Sequence, residues 1–199
     1  MLILVLVTIL LTHAAAQPAA PLQYGGKTYK TAKIGTQTWL AENLNYEAEG
    51  SVCYENNPAN CAKYGRLYNW EAAKKVCPKG WHLPSNAEWD KLYRFVDGDK
   101  GTKSPYKSET AGKYLKAKSG WNKDGNGTDD YGFSALPGGY GNSGGSFSGV
   151  GDYGSWWSTN EYKSYSSSAY FRRMYYDYDY AYWTISNKSY LQSVRCLQD

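Results

Sequence analysis

The chain has 199 residues, of which 42% are hydrophobic and 20% are charged, and its formal net charge is +4 at pH 7. This composition is that of one globular domain, and it excludes a disordered chain, a collagen and a coiled coil, each of which has a different residue bias. The small net charge and the lack of a Lys- or Arg-rich run lead us to expect no nucleic-acid partner. Tyrosine is unusually frequent, with 21 residues, as many as glycine.

The amino-terminal residues predict export. Residues 1–11 are almost wholly apolar and are followed by Ala14, Ala15 and Ala16. A short apolar run that ends in small residues is typical of a secretory signal peptide, here residues 1–16. The alternative is a membrane anchor, but a spanning helix needs about 20 apolar residues. We therefore expect a secreted or cell-surface protein with no membrane span after cleavage.

Export makes disulfides the expected state of the four cysteines. Three pairings are possible. We favour Cys53 with Cys61, which flank a short loop rich in Asn and Pro, and Cys77 with Cys196, which would join an early helix end to the last strand. A metal site or a thiol nucleophile has less support, because the chain contains no Cys-x-x-Cys and the mature chain keeps a single histidine, His82. We expect no metal and no cofactor.

The mature chain begins with a Pro- and Ala-rich segment, residues 17–26, which we expect to be a flexible lead-in to one domain at 27–199. Residues 30–34 and 37–41 are strand-like on either side of a Gly-Thr pair. This pattern predicts a hairpin near the start of the domain.

Three short helices are predicted in the first half of the domain. Residues 67–76 carry apolar residues at helical spacing behind an asparagine that can serve as N-cap. Ser85 and Glu88 form a Ser-x-x-Glu capping box in front of a strongly periodic segment. A polar loop at 97–108 and a third short helix at 109–117 follow.

From residue 119 onward the chain is rich in Gly, Ser, Asn, Asp and Tyr, and short strands replace the helices. The predicted strands are residues 156–159, 169–176, 180–186 and 193–196. The middle two form a hairpin whose turn lies near 177–179. Early helices followed by short antiparallel strands predict an α+β fold.

The tyrosines concentrate in this second half and suggest a binding face. Residues 176, 178, 180 and 182 are all tyrosine, so an extended chain would place them on one face of a strand. Flat rings with hydroxyl tips suit sugar rings as well as protein surfaces. The alternative is that tyrosine, a good strand former, merely tiles a half-exposed sheet. The predicted ligand-binding residues are Trp156, Trp157, Asn160, Tyr170, Tyr175, Tyr176, Asp177, Tyr178, Asp179, Tyr180 and Tyr182.

Other chemistry has weaker support in the sequence. His82 could serve as the base of a hydrolase, but its place before a helix favours a packed structural residue. Carboxylate pairs suitable for a glycosidase can be drawn from any chain with 18 acidic residues. Oxygen donors at 124–130 could bind calcium, yet the EF-hand pattern fails there, and the alternative is a loop held by its own side chains. We therefore predict that the protein is not an enzyme.

Six sequence blocks resemble the Fibrobacter succinogenes major paralogous domain family. They are residues 34–44, 65–70, 77–85, 130–139, 154–159 and 193–196. The resemblance implies a C-type lectin-like fold, shared with the formylglycine-generating enzymes, which have a similar Leu-Pro-Ser/Thr-x-x-Glu-Trp helix start. It does not imply an activity, because that fold carries lectins, enzymes and receptor modules alike.

These observations favour a non-enzymatic binding module that recognises polysaccharide or a surface protein through its Tyr- and Trp-rich face. One alternative is a structural subunit of an extracellular layer, in which the same face pads contacts between chains by self-association. A second is an enzyme related to formylglycine generation, which would need reactive thiols near the chain end, where only Cys196 lies.

Overall fold

The computed structural model describes residues 17–98 and 107–199. The signal peptide expected at 1–16 lies outside the described residues, as does most of the polar loop expected at 97–108. All the other predicted elements can be compared with the structure.

The helices of the described residues are α1 (Pro58–Tyr64), α2 (Trp70–Ala73), α3 (Asn86–Asp97) and α4 (Ala111–Leu115). The capping box that predicts α3 is confirmed, since the Glu88 carboxylate accepts a hydrogen bond from the Ser85 amide at 2.7 Å and the Ser85 hydroxyl accepts from the Glu88 amide. Helix α4 lies inside the predicted 109–117. Helix α2 is shorter than predicted, because it starts only after its N-cap, Asn69, whose side chain accepts from the Ala72 amide.

Helix α1 lies where we expected a loop between Cys53 and Cys61. The Asn57 side chain caps it by accepting from the Ala59 amide at 3.0 Å. Pro58 occupies the first helical position, where its missing N–H has no intrahelical acceptor to lose. The Asn-Pro pair, which the prediction took as a loop signal, is therefore a helix start.

The strands are β1 (Gln17–Pro18), β2 (Leu22–Tyr24), β3 (Lys27–Tyr29), β4 (Thr31–Ile34), β5 (Gln37–Leu40), β6 (Ser51–Val52), β7 (Leu67–Tyr68), β8 (Trp81–His82), β9 (Lys107–Ser108), β10 (Gly138–Gly141), β11 (Phe147–Val150), β12 (Tyr153–Glu161), β13 (Ser168–Tyr175), β14 (Ala181–Asn187) and β15 (Leu197–Gln198). Among the described residues they form a five-stranded sheet in the order β1-β4-β5-β15-β8 and a four-stranded sheet in the order β12-β13-β14-β9. The pairs β2-β3, β6-β7 and β10-β11 form two-stranded sheets. Their neighbouring strands are antiparallel, so the fold is α+β, as predicted.

The start of the domain is more regular than the sequence suggested. The predicted hairpin is confirmed as β4 and β5, with Ile34 opposite Gln37. Residues 17–26, expected as a flexible lead-in, contain β1, which pairs with β4, and β2, which pairs with β3. The β2-β3 turn is built by Gly25 and Gly26, both at positive φ, which is the typical chemistry of a tight hairpin. The Gly25-Gly26 pair indicates this hairpin turn, and the prediction of a flexible lead-in overlooked it.

The predicted strand at 193–196 is wrong. This segment runs between the two larger sheets and bonds to both: the Ser193 amide donates to Ser155 of β12, while the carbonyl of Cys196 accepts from Leu40 of β5. Because its partners alternate between sheets, it forms no continuous ladder, and the strand β15 begins only at Leu197.

Two hydrophobic clusters lie on opposite faces of β12 and β13. Trp156 and Met174 belong to the cluster that includes Trp89 of α3, and Trp157 and Phe171 belong to the other. Both predicted disulfides are confirmed, Cys53–Cys61 and Cys77–Cys196.

Candidate functional site

A connected set of tyrosine rings covers one end of the four-stranded sheet, and we call it the tyrosine surface. Its members are Tyr140, Tyr153, Tyr175, Tyr176, Tyr178, Tyr180 and Tyr182. Adjacent ring centroids along the set are 4.5–6.1 Å apart, within the range of favourable aromatic contacts. Five of these seven tyrosines were among the predicted ligand-binding residues, whereas Tyr140 and Tyr153 were not.

Strand register and a turn bring these rings together. Tyr153 of β12 lies directly opposite Tyr175 of β13, and Tyr182 of β14 lies opposite Arg173 of β13. Residues 176–180 form the turn between β13 and β14, which confirms the predicted hairpin with its turn near 177–179. The chain is therefore not extended over residues 176–180, and the alternation that an extended strand would give does not apply there. The rings nevertheless share one surface, because the turn folds them back over the sheet end.

A buried lysine holds this turn. The ammonium group of Lys116, a residue only 2% exposed, donates to the carbonyl oxygens of Tyr175, Tyr176 and Tyr178 at 3.3, 2.9 and 3.1 Å. Burial lowers the pKa of Lys116. Three backbone acceptors, one at the end of β13 and two in the turn, make Lys116 a positioning residue for the tyrosine surface. No sequence pattern marks this residue, since a lysine at a helix end is usually solvated.

The turn also packs closely against two glycines. A Cβ atom at Gly112 would lie 2.6 Å from the Tyr180 carbonyl oxygen, and one at Gly125 would lie 2.2 Å from the Tyr176 carbonyl oxygen. The Lys113 amide donates to the carbonyl oxygen of Asp179 at 2.9 Å. These contacts with Gly112, Gly125 and Lys113 fix the backbone of the turn.

One cation lies within the tyrosine surface. The guanidinium carbon of Arg173 is 5.0 Å from the ring centroid of Tyr140, 4.7 Å from that of Tyr153 and 4.9 Å from that of Phe171. Its Nε donates to the Ser155 hydroxyl at 3.1 Å. Sequence reasoning missed this residue, because an arginine within a strand, here next to Arg172, belongs to no motif.

Two predicted stacking residues are excluded by burial. Trp156 and Trp157 are both 0% exposed, because successive strand residues point to opposite faces and both faces of β12 are covered. Their indole N–H groups donate to the Asn43 side chain and to the Tyr68 carbonyl oxygen. Neither can contact a ligand at the surface, so this part of the prediction is wrong.

Two more predicted residues lie away from the tyrosine surface. Tyr170 is on the opposite face of β13 from Tyr175 and contacts Tyr162 and Trp183. Asn160 lies toward the other end of β12 and accepts from the Asn86 amide at the start of α3. The predicted polar partners Asp177 and Asp179, by contrast, are exposed in the turn itself.

The family model described as Fibrobacter succinogenes major domain matches residues 32–198. The chain belongs to this family. No match to the chain was found among curated proteins or among solved structures. All seven tyrosines of the tyrosine surface lie inside the matched part of the Fibrobacter succinogenes major domain. Within residues 17–98 and 107–199, no helix is both long enough and apolar enough to cross a membrane.

The oxygen donors at 124–130 of this Fibrobacter succinogenes major domain are used within their own loop. The Asp129 carboxylate accepts from the amide and the hydroxyl of Ser134 at 2.7 and 2.6 Å. The Asn126 side chain accepts from the Trp121 amide. In the part of the chain that the structure describes, no group of three His, Cys, Asp or Glu side chains is arranged to hold a metal.

His82 connects the start of α3 to the last residues of the domain. Its Nε2 lies 2.9 Å from the Glu88 carboxylate and its Nδ1 lies 2.6 Å from the Asp199 carboxylate. Burial disfavours the charged imidazole, but the two carboxylates outweigh it and raise the pKa of His82 above 6.5. The pKa of Glu88 is lowered, since hydrogen bonds from Ser85 and His82 outweigh its burial.

A pH-dependent contribution to stability follows from this contact. The raised pKa of His82 means that its contribution is full below 6.5 and is lost as the pH rises through the folded value. The lowered pKa of Glu88 means that its contribution is lost at the other end, as the pH falls below 4.5. Urea unfolding should therefore show the largest gap between wild type and His82→Gln near pH 5.5, and a smaller gap at about pH 8.5. The gap stays below about 1 kcal/mol, because the imidazole is partly solvated; a gap independent of pH would contradict the assignment.

Proposed function

We propose that this domain is a secreted, non-enzymatic binding module of C-type lectin-like fold that binds polysaccharide at the tyrosine surface. The observation that carries the proposal is the unbroken contact of seven tyrosine rings at one sheet end. A buried core gains little from so many hydroxyl-bearing rings, whereas a ligand with both apolar and polar faces can use the rings and the hydroxyls together.

The geometry of the turn suits the stacking of a sugar ring. Tyr178 and Tyr180 are nearly parallel, with an interplanar angle of 14° and ring centroids 4.5 Å apart. Tyr178 is 40% exposed, so part of its ring remains accessible beside this stack. The C–H face of a pyranose can pack on such a ring while its hydroxyls bond to neighbouring phenols. The fixed turn reduces the entropy that ordering these side chains would cost.

The state of the cysteines supports binding over thiol chemistry. Cys196, the cysteine near the chain end that an enzyme of the formylglycine-generating type would need, is bonded to Cys77. The other two cysteines are bonded to each other. A bonded cysteine has no thiolate to act as nucleophile.

A double substitution in the turn tests the proposal. Tyr178→Ala with Tyr180→Ala is expected to weaken binding to polysaccharide at least tenfold, because two exposed aromatic contacts are removed from the centre of the surface. Affinity is measured on a panel of soluble polysaccharides and cell-wall fractions. The matched control is Tyr162→Ala with Tyr165→Ala. These two rings contact each other outside the tyrosine surface, and Tyr165 is 64% exposed.

The control should bind like wild type, and both double variants should keep the wild-type melting temperature. Equal losses in the two double variants, or no loss in the first, would reject the tyrosine surface as the site. If wild type binds no polysaccharide but its mass rises with concentration, and if only Tyr178→Ala with Tyr180→Ala abolishes that rise, the result would instead favour a structural subunit. Binding to a surface protein alone would also reject the polysaccharide proposal.

A further inference from the structure

We propose that the tyrosine surface selects acidic polysaccharides, and that Arg173 binds the acidic group of the sugar. This inference rests on the proposed function and names the class of polysaccharide that the site takes. The observation behind it is a partly buried guanidinium enclosed by aromatic rings and lacking an acidic partner.

Arg173 differs from Arg66 and Arg172 in its partners, and it differs from the fully buried Arg195, which also has no carboxylate of the described residues within 4 Å, in being only partly buried. Arg66 contacts the Glu47 carboxylate at 2.7 Å, and Arg172 contacts the Asp90 carboxylate at 2.9 Å. Among the residues that the structure describes, no carboxylate lies within 4 Å of the Arg173 guanidinium. Removing a cation from water without a counter-charge is unfavourable.

The aromatic rings around Arg173 compensate only part of this cost. Cation–π contacts with Tyr140, Tyr153 and Phe171 stabilise the charge, and they also fix the plane of the guanidinium. Nε donates to the Ser155 hydroxyl, and the guanidinium also hydrogen-bonds to the Tyr182 phenol. The two terminal nitrogens form the side of the fork that matches a carboxylate or a sulfate in a bidentate geometry.

The other charged residues near the tyrosine surface distinguish its turn end from its sheet end. Asp177 and Asp179 are exposed in the turn, where they would repel an acidic group. Lys123 lies at the rim, where its ammonium group donates to the Tyr176 hydroxyl at 3.1 Å, and Lys107 lies over the Tyr180 ring. The turn end thus carries charges of both signs, whereas Arg173 on the sheet has no carboxylate partner in the described part of the chain, so an acidic sugar is directed toward Arg173.

The test compares polymers that differ in charge alone. Polygalacturonate and its fully methyl-esterified form share one backbone, and dextran sulfate with dextran tests a sulfate in place of a carboxylate. Wild type is expected to bind at least one acidic polymer about tenfold or more tightly than its neutral counterpart. Which pair shows the preference identifies the acidic group.

Arg173→Gln should abolish this preference, measured as the ratio of the affinities for the acidic polymer and its neutral counterpart. Lys123→Gln is the matched control, since it removes a cation from the rim of the same surface, and it should keep most of the preference. Arg173→Lys should keep only part of it, because an ammonium group cannot form the bidentate contact.

The outcomes separate this inference from the proposed function. If wild type binds no polymer of either kind, the proposed function fails. If wild type binds a neutral polymer as tightly as its acidic form, the module stands and the role of Arg173 is wrong. An equal loss of preference in Lys123→Gln and Arg173→Gln would also overturn it, since diffuse charge would then be the cause. If Arg173→Gln does not fold, the comparison of Arg173→Lys with Lys123→Gln tests the role of Arg173: a preference that Arg173→Lys keeps in full would overturn it.

Discussion

Replacing Cys77 and Cys196 together by alanine is expected to lower the free energy of unfolding by about 5 kcal/mol. The disulfide joins residues 119 positions apart, so it removes a large loop-closure entropy from the unfolded chain. The matched control is the alanine pair at Cys53 and Cys61, which are only 8 positions apart and should cost about 2.5 kcal/mol. Alanine is preferred to serine, because Cys196 is fully buried and a hydroxyl there would lack a partner.

Urea unfolding of the oxidised proteins measures both effects. A second readout reports where the structure loosens. The Leu44 amide donates to the Val194 carbonyl oxygen and the Trp157 amide donates to that of Ser193, so both depend on the segment that precedes Cys196. Their hydrogen exchange should accelerate in the Cys77 and Cys196 variant beyond what the loss of global stability explains. If the two cysteine pairs destabilise equally, loop length is not the source of the effect.

The parts of the fold that were predicted well are those that local chemistry determines. The capping box at Ser85 and the β4-β5 hairpin depend on residues within a few positions of each other, so the sequence contains all their determinants. The segment 193–196 could not be predicted in the same way. Its backbone partners, such as Ser155 and Leu40, are distant in sequence, and its irregular pairing depends on where the two sheets lie.

The candidate site shows the same division. The abundance of tyrosine identified most of its rings, but the shape of the turn depends on the buried ammonium group of Lys116, which no pattern marked. Trp156 and Trp157 were misplaced because a sequence does not show that both faces of β12 are covered. Arg173 was overlooked because what marks it, a partly buried guanidinium among aromatic rings with no carboxylate partner among the described residues, is a property of its three-dimensional surroundings.

Among the single substitutions considered, Asn43→Ala is expected to destabilise the domain most. Asn43 is 3% exposed and bonds in two directions. Its side-chain oxygen accepts from the Trp156 indole and from Nε of Arg195, both at 2.8 Å. Its amide nitrogen donates to the Tyr64 carbonyl oxygen at 2.8 Å. One side chain thus satisfies groups from the edge strand β12, the carboxy-terminal segment and α1.

The cost of losing Asn43 is dominated by Arg195. This arginine is fully buried, and burial lowers the pKa of its guanidinium, which means that the charge depends on the acceptors around it. Its remaining acceptors are the backbone carbonyls of Leu40, Phe133 and Ser134. Removing the Asn43 oxygen leaves a buried charge and a buried indole short of acceptors, so the free energy of unfolding should fall by about 4 kcal/mol.

Asn60→Ala is the matched control, since Asn60 loses one partly buried hydrogen bond to the Tyr54 carbonyl oxygen and should cost about 1 kcal/mol. Asn43→Asp separates the loss of the side-chain donor from the loss of the side-chain acceptor. The aspartate keeps an acceptor for Arg195 and Trp156 but has no donor for Tyr64, so its loss should fall between those of the two alanine variants. If Asn43→Ala costs no more than Asn60→Ala in urea unfolding, the acceptors of Arg195 are interchangeable and the buried charge does not depend on Asn43.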